Sequence, residues 1–147
     1  MTEPAADDGP ARPLGFVPGQ AVLEIGWDED ADEALRSAVE ARTGSELLDP
    51  DRLTTGADRP DVVDAVLLWW RAEDGDLVDA LVDALTDLTD GGFIWLFTPK
   101  VGRPGYVEPG DIAESAPTAG LSATTSLSAA AAWSGSKLVS PKTRARR

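Results

Sequence analysis

Hydrophobic and polar residues follow two patterns along the chain, and these predict strands and helices in turn. Asp61–Trp70 and Phe93–Phe97 are largely apolar runs without clean alternation, which is typical of strands buried on both faces. Between them, Gly75–Asp90 carries apolar residues at helical spacing, with aspartates on the opposite side. The pattern therefore predicts a strand, an amphipathic helix and a second buried strand in the middle of the chain.

The flanking segments continue this alternation. A first strand is predicted at Ala21–Gly26, followed by a helix that Asp28 or Asp30 can cap and that Gly44 ends. The other predicted elements are a short strand at 46–48, a helix capped by Asp111, and a strand pair at Thr124–Ser128 and Ser136–Ser140. This order predicts an α/β fold with a mostly parallel sheet, helices on both faces and a C-terminal antiparallel strand pair.

Composition divides the chain into one domain and two tails. Residues 1–13 are rich in Ala, Asp and Pro without periodicity, and we expect them to be disordered. Residues 14–140 are predicted to form a single α/β domain, and residues 141–147 a basic flexible tail. The polar start of the chain does not resemble a secretory signal, and the apolar runs are too short to cross a bilayer. We therefore expect a cytoplasmic protein.

Charge and missing residue types exclude several classes of function. The chain has a formal net charge of −13 and contains neither cysteine nor histidine. This removes disulfides, thiolate nucleophiles and histidine-based acid–base catalysis. Residues 1–90 carry a net charge of −17 and residues 91–147 a net charge of +4. Because an acidic surface repels nucleic acid and anionic lipid, we expect neither a nucleic-acid nor a membrane partner.

Several segments resemble the Rossmann-type methyltransferase domain. Val22–Gly26 resembles the first motif of that family, a strand that ends in an acidic-x-glycine signature. Residues 61–68 resemble its fourth strand, and residues 88–96 resemble its corner from a helix into a hydrophobic strand. The C-terminal strand pair also lies where that fold places its hairpin. The resemblance implies a Rossmann-like sheet.

The loop after the first strand departs from this family. In that family, glycines after the first strand let the backbone approach S-adenosylmethionine, whose carboxylate faces a helix N-terminus. Here only Gly26 remains, Trp27 adds bulk, and Asp28–Asp30 bring negative charge to the same place. One like charge at ~4 Å costs on the order of 1 kcal/mol in water, and more when desolvated. We therefore expect no cofactor, and S-adenosylmethionine least of all in its usual pose.

A second resemblance covers nearly all of residues 14–142. It rests on the segments Leu14–Gln20, Glu24–Asp30, Leu67–Arg71, Asp74–Leu81, Leu96–Lys100 and Trp133–Gly135. These are similar to a family of small actinobacterial proteins known as a domain of unknown function, number three-zero-five-two. The resemblance implies a compact α/β protein and assigns no activity, substrate or catalytic residue.

The carboxyl ends of the predicted strands form the candidate ligand edge, because open α/β sheets bind ligands there. The residues expected at this edge are Gly26, Trp27, Asp28, Asp30, Trp70, Thr98, Lys100 and Arg103. In an open pocket, Trp27 and Trp70 would supply apolar walls, and Lys100 or Arg103 an anion contact. In the alternative, the two tryptophans plug the crevice and Lys100 pairs with the acidic loop. We favour the plug.

A row of aspartates on the second helix is the candidate partner face. It consists of Asp76, Asp79, Asp83, Asp87 and Asp90, with no lysine among them. Like charges four residues apart each cost an isolated helix roughly 0.2–0.5 kcal/mol. One interpretation of the row is a docking face for a basic protein partner or for the basic tail of the chain itself. The alternative, which we favour for the row taken alone, is a solvated face in a generally acidic protein, and we expect no metal site.

These features leave two hypotheses for function. The first is a non-catalytic Rossmann-like interaction or regulatory module that binds a partner through its acidic face. The alternative is a divergent S-adenosylmethionine-dependent methyltransferase-like enzyme, or a small-molecule sensor, that uses the carboxyl edge of the sheet. The incomplete cofactor loop, the missing catalytic residue types and the row of aspartates favour the first.

Overall fold

A computed structural model describes residues 14–48, 63–86 and 88–140, apart from the side chain of Asp90. The strands are β1 (Val22–Ile25), β2 (Val63–Trp69), β3 (Leu88–Pro99), β4 (Ser122–Ser128) and β5 (Trp133–Val139). The helices are α1 (Glu33–Thr43), α2 (Leu77–Thr86) and α3 (Pro109–Thr118), with a 3₁₀ turn at Ala72–Asp74. The predicted disorder at residues 1–13 and the predicted flexible tail at 141–147 lie outside the described residues.

The strands form one mixed sheet in the order β1-β2-β3-β5-β4. The pairings β1–β2 and β2–β3 are parallel, whereas β3–β5 and β4–β5 are antiparallel. Leu48 adds an isolated parallel bridge to Leu23 on the outer side of β1, where the short strand at 46–48 was predicted. The α/β fold is confirmed, but the prediction of a mostly parallel sheet is wrong. The C-terminal strands are joined by a short turn, which suits antiparallel pairing, and they make up nearly half of the sheet.

Two hydrophobic layers cover the two faces of the sheet, because successive side chains of a strand point to opposite sides. Trp69 of β2 and Trp95 of β3 pack in the layer under α1, together with Phe16 from the segment before β1. Leu68 and Leu96 belong to the opposite layer, under α2 and α3. This burial on both faces explains the near-continuous apolar runs of β2 and β3. It also confirms that helices cover both faces.

The ends of α1 show how local chemistry determines where a helix begins and ends. Asp32 is the N-cap, and its Oδ1 accepts a hydrogen bond of 2.8 Å from the backbone N–H of Leu35. The prediction of Asp28 or Asp30 as the cap is therefore wrong by four or two residues. Gly44 ends the helix in the left-handed conformation, with φ of 79°, as the sequence predicts.

The second half of the chain differs from the prediction mainly at element boundaries. β3 begins at Leu88 rather than Phe93, because residues 89–92 form an irregularity opposite β2 in which Gly91 has φ of 80°. The segment Trp133–Gly135, which lies between the two predicted strands of the C-terminal pair, instead opens β5. No helix of the described residues is long and apolar enough to cross a membrane.

Candidate functional site

The candidate site lies where β1 and β2 end side by side. After β1 the chain passes through α1 to the bridge at Leu48, which lies on one side of β1. It later forms β2 on the other side of β1. This reversal of direction is the topological switch point, the place where open α/β sheets bind ligands in the crevice between neighbouring loops. We call this place the switch-point crevice.

Gly26 brings the two loops of the crevice into direct contact. Its φ of 82° lies in the left-handed region, which glycine adopts at little cost. A Cβ atom at this position would lie 2.4 Å from the carbonyl oxygen of Trp69. The backbone after β1 therefore packs against the last residue of β2, and little space is left between the two strand ends.

Arg71 fills what remains of the crevice. The residue is 8% exposed, and its Nη1 donates to the carbonyl oxygens of Gly26 at 2.8 Å and Trp69 at 3.3 Å. Its Nε donates to Asp30 Oδ2 at 3.1 Å, and its Nη2 donates to Asp30 Oδ1. The guanidinium also lies 5.3 Å from the ring of Trp133 in β5, in a cation–π contact. We call this set of contacts the Arg71 clamp.

The clamp keeps both of its charged groups ionised. The hydrogen bond from Arg71 is the largest cause of a lowered pKa of Asp30, and it outweighs the desolvation of that carboxylate. Burial by itself lowers the pKa of Arg71, but hydrogen bonds and attraction from Asp30 and Asp74 raise the pKa overall. The crevice therefore holds a fixed positive charge that is already neutralised by the protein's own carboxylates.

The lowered pKa of Asp30 predicts a pH-dependent contribution to stability. Because the folded pKa lies below the ordinary value of 3.8, this contribution is present above about pH 4 and is lost as pH falls through the folded pKa. Asp30→Asn is expected to lower the free energy of unfolding near neutral pH by about 0.5–1 kcal/mol, since the Asp30 side chain is 55% exposed. Urea unfolding of both proteins should show this difference shrinking as the pH falls below about 4. A difference that stayed constant with pH would contradict the assignment.

The residues predicted to plug the crevice lie elsewhere. Trp27 is 49% exposed, and its indole N–H donates to Glu33 Oε2 at 3.1 Å. Trp70 is buried in the layer under α2 and α3, and Lys100 Nζ donates to Ser128 Oγ at 2.5 Å instead of pairing with the acidic loop. A plug is present, but the predicted side chains do not form it. Sequence reasoning missed Arg71, although it is the one basic residue between Arg59 and Lys100 and directly follows a buried strand.

Glu24, the acidic residue of the strand motif, is hydrogen-bonded to other side chains of the protein. It is 5% exposed and accepts hydrogen bonds from Arg36 Nε at 2.5 Å, from Arg36 Nη2 at 2.7 Å and from the Trp69 indole at 2.8 Å. The hydrogen bonds of Glu24 are the largest cause of a raised pKa of Arg36. Both carboxylate oxygens of Glu24 are therefore occupied by protein donors.

The structure divides the other predicted edge residues among three places. Arg103 and Asp30 line a surface cavity of about 310 Å³ beside Trp133, and Asp28 stands in the exposed loop after Gly26. Thr98 is buried at the end of β3, in a different cavity. The eight residues therefore do not converge on one pocket.

The acidic face of α2 is exposed where the structure describes it. Asp76 accepts hydrogen bonds from the backbone N–H groups of Val78 at 2.9 Å and Asp79 at 3.3 Å, so it helps to start the helix. Asp79 and Asp83 are exposed, and neither forms an ion pair within the described ranges. Asp87 and the side chain of Asp90 lie outside the described residues. No cluster in the described part of the chain has three ligands suited to hold a metal ion.

Solved structures similar to this one include several methyltransferases. An S-adenosylmethionine-dependent methyltransferase from Aquifex aeolicus aligns over 93% of both chains with a TM-score of 0.57 and 14% identity. The magnesium protoporphyrin IX methyltransferase from Synechocystis aligns over 92% of this chain and 76% of its own, with a TM-score of 0.56 and 10% identity. At such low identity these likenesses show the fold alone, and they confirm the Rossmann-like architecture.

Closer relatives carry no assigned activity. Uncharacterised proteins of Mycobacterium bovis and Mycobacterium tuberculosis are 52% identical over 135 residues, which cover 92% of this chain and 80% of each relative. The family model described as protein of unknown function (DUF3052) matches residues 11–142. Both resemblances seen in the sequence are thereby confirmed, and the chain belongs to this DUF3052 family with a methyltransferase-like fold.

Proposed function

We propose that this protein is a non-catalytic module with a methyltransferase-like fold that binds a basic protein partner through the acidic face of α2. The observation that carries the proposal is the Arg71 clamp. A buried guanidinium occupies the crevice in which the fold would receive a ligand, and it is hydrogen-bonded to both loops. A cofactor could enter only by displacing a side chain whose hydrogen bonds it would have to replace.

Charge at the crevice adds to this obstacle for S-adenosylmethionine. Asp28, Glu29 and Asp30 are exposed beside the end of β1, where the carboxylate of that cofactor would bind in related folds. The positive charge of Arg71 does not compensate, because Asp30 and Asp74 already pair with it. The proposal therefore assigns no cofactor to this protein.

The support for a basic partner comes from the outer surface of α2 and its neighbour α3. Neither helix contains a lysine or arginine, and α3 adds exposed Asp111 and Glu114 to the carboxylates of α2. Val82, which lies between Asp79 and Asp83, is 47% exposed. A surface of unpaired carboxylates around an apolar side chain suits a partner that presents lysine or arginine beside a hydrophobic residue.

Calorimetry tests the part of the proposal that assigns no cofactor to the crevice. Titration of the full chain with S-adenosylmethionine, and separately with S-adenosylhomocysteine, is expected to give no binding heat at ligand concentrations up to about 1 mM. Arg71→Ala is the informative variant, since it removes the side chain that fills the crevice. Micromolar binding to the unaltered protein would overturn the proposal and favour the divergent methyltransferase.

Peptide binding tests the part of the proposal that assigns a basic partner to the acidic face of α2. The probe is a synthetic peptide with the sequence of residues 142–147, labelled with a fluorophore and added to the full chain. The double variant Asp79→Asn/Asp83→Asn is expected to weaken binding about threefold to tenfold relative to the unaltered protein. Binding should also fall steeply as salt rises from about 20 to about 200 mM.

The matched control removes two charges from another surface. Asp28→Asn/Glu29→Gln changes the net charge of the protein by the same amount, on the exposed loop after β1. It is expected to leave peptide binding within about twofold, because α2 retains its carboxylates. Equal weakening by the two double variants would mean that only net charge matters, and it would overturn the assignment of α2 as the docking face.

A further inference from the structure

The face of the sheet under α3 carries a group of hydroxyl side chains at adjoining positions of three strands. In the antiparallel register, Thr98 of β3 pairs with Ser134 of β5, and Ser134 pairs with Ser128 of β4. The next row on the same face places Ser136 beside Ser126. Because the strands fix their spacing, these five hydroxyls form a rigid surface, which we call the hydroxyl floor.

The hydroxyl floor is the base of a cavity of about 280 Å³. Its walls are mostly apolar and come from the segment before α3 and from α3 itself, and they include Val107, Pro109 and Ile112. Tyr106 also lines it, and no charged side chain of the described residues does so. The volume is close to the lower limit of about 300 Å³ for small-molecule sites, which suits a ligand of single-ring or monosaccharide size.

Thr98 is the feature that points to a ligand. The residue is 2% exposed and lines the cavity, yet its hydroxyl has no hydrogen-bond partner among the described residues. Buried hydroxyls nearly always have a partner, because an unsatisfied one costs about 1–3 kcal/mol. A polar group bound in the cavity would supply that partner.

The lining also defines the charge of the ligand. Lys100 Nζ reaches the floor only at its outer end, where it donates to Ser128 Oγ. A charged group placed over Thr98, Ser134 and Ser136 would lose hydration without meeting a counter-charge from the lining, which is costly. Serine and threonine hydroxyls both donate and accept, so they match a ligand edge that carries hydroxyl or carbonyl groups. We infer that this cavity binds an uncharged, hydroxyl-bearing small molecule, with its polar edge on the hydroxyl floor and its apolar face against Val107 and Ile112.

The inferred site is separate from the switch-point crevice. Thr98 shares its side of β3 with Leu96, in the layer under α2 and α3, whereas the Trp133 ring that contacts Arg71 belongs to the layer under α1. The inference therefore does not depend on whether the crevice is closed or on what binds α2.

Protein-observed NMR tests the inference with two uncharged probes. Methyl β-D-glucopyranoside represents an aliphatic polyol, and resorcinol represents an aromatic diol. At least one of them, added up to about 10 mM, is expected to shift the amide signals of Thr98, Ser134 and Ser136 in a saturable way. The probe that binds more tightly tells which type of ring the walls accept. The absence of saturable shifts with both probes would overturn the inference.

Variants and a charged analogue complete the test. Thr98→Val keeps the side-chain shape but removes the hydroxyl, and it is expected to weaken binding about fivefold while the melting temperature stays the same or rises. Ser134→Ala should also weaken binding, whereas Ser122→Ala, on β4 outside the cavity, should not. 3,5-Dihydroxybenzoate, which is resorcinol with a carboxylate on its ring, should bind more weakly than resorcinol. Undiminished binding to Thr98→Val, or tighter binding of the charged analogue, would contradict the assignment.

Discussion

Replacing Arg71 with alanine is expected to lower the free energy of unfolding by about 3 kcal/mol. The variant leaves the carbonyl oxygens of Gly26 and Trp69 without their shared donor, and it leaves Asp30 without its cation. It also removes the guanidinium from the ring of Trp133, a contact that joins β5 to the loop after β2 across β3. A loss of this size is a large part of the total stability of a typical domain, about 5–15 kcal/mol.

Urea unfolding followed by tryptophan fluorescence measures this effect. Arg103→Ala is the control, since Arg103 is exposed in the loop after β3, and its cost should be below about 0.5 kcal/mol. Arg71→Lys should recover only part of the loss, because an ammonium group cannot match the forked geometry of a guanidinium. If Arg71→Ala costs no more than Arg103→Ala, the clamp does not hold the two loops together.

Gly26→Ala is expected to cost about 3 kcal/mol or more, for a different reason. The positive φ of Gly26 disfavours any residue with a Cβ by about 1–2 kcal/mol. In addition, the new methyl group would lie 2.4 Å from the carbonyl oxygen of Trp69, which Arg71 holds in place. Relief of that contact would require the loops after β1 and β2 to separate.

Gly102→Ala separates these two contributions. Gly102 has a similar φ of 86°, but a Cβ atom there would meet no other atom within 4 Å. Its substitution should therefore cost only the conformational part, about 1–2 kcal/mol, in the same unfolding experiment. Equal costs at the two glycines would mean that the close approach of the loops contributes nothing.

The fold could be predicted from the sequence wherever burial leaves a periodic pattern. β2 and β3 are buried on both faces and read as apolar runs, and the spacing of Leu77 and Leu81 places one side of α2 against the sheet. Boundaries were harder to predict because they depend on contacts distant in sequence. β3 begins early because β2 pairs with Leu88, and β5 begins early because Trp133 pairs with Pro99.

The candidate site could be predicted only in part, and for a related reason. The loss of glycines after β1 indicated a closed crevice, but the side chain that closes it comes from the end of β2, 41 positions after Asp30. No local pattern in the sequence indicates the hydroxyl floor. Serines of β4 and β5 read as ordinary polar strand positions until the antiparallel register places them beside Thr98.

The Arg71 clamp also constrains how this fold could change by mutation. The side chain that fills the crevice is the same one that joins the two loops, so a substitution that empties the crevice is also expected to loosen the domain. A chain that gained a cofactor here would need glycines after Ile25, a new partner for the carbonyl of Trp69 and a smaller residue at 71 at nearly the same time. On the proposed function, each single step would lower stability without gaining affinity, so a binding surface would evolve more readily elsewhere on the molecule than in the crevice.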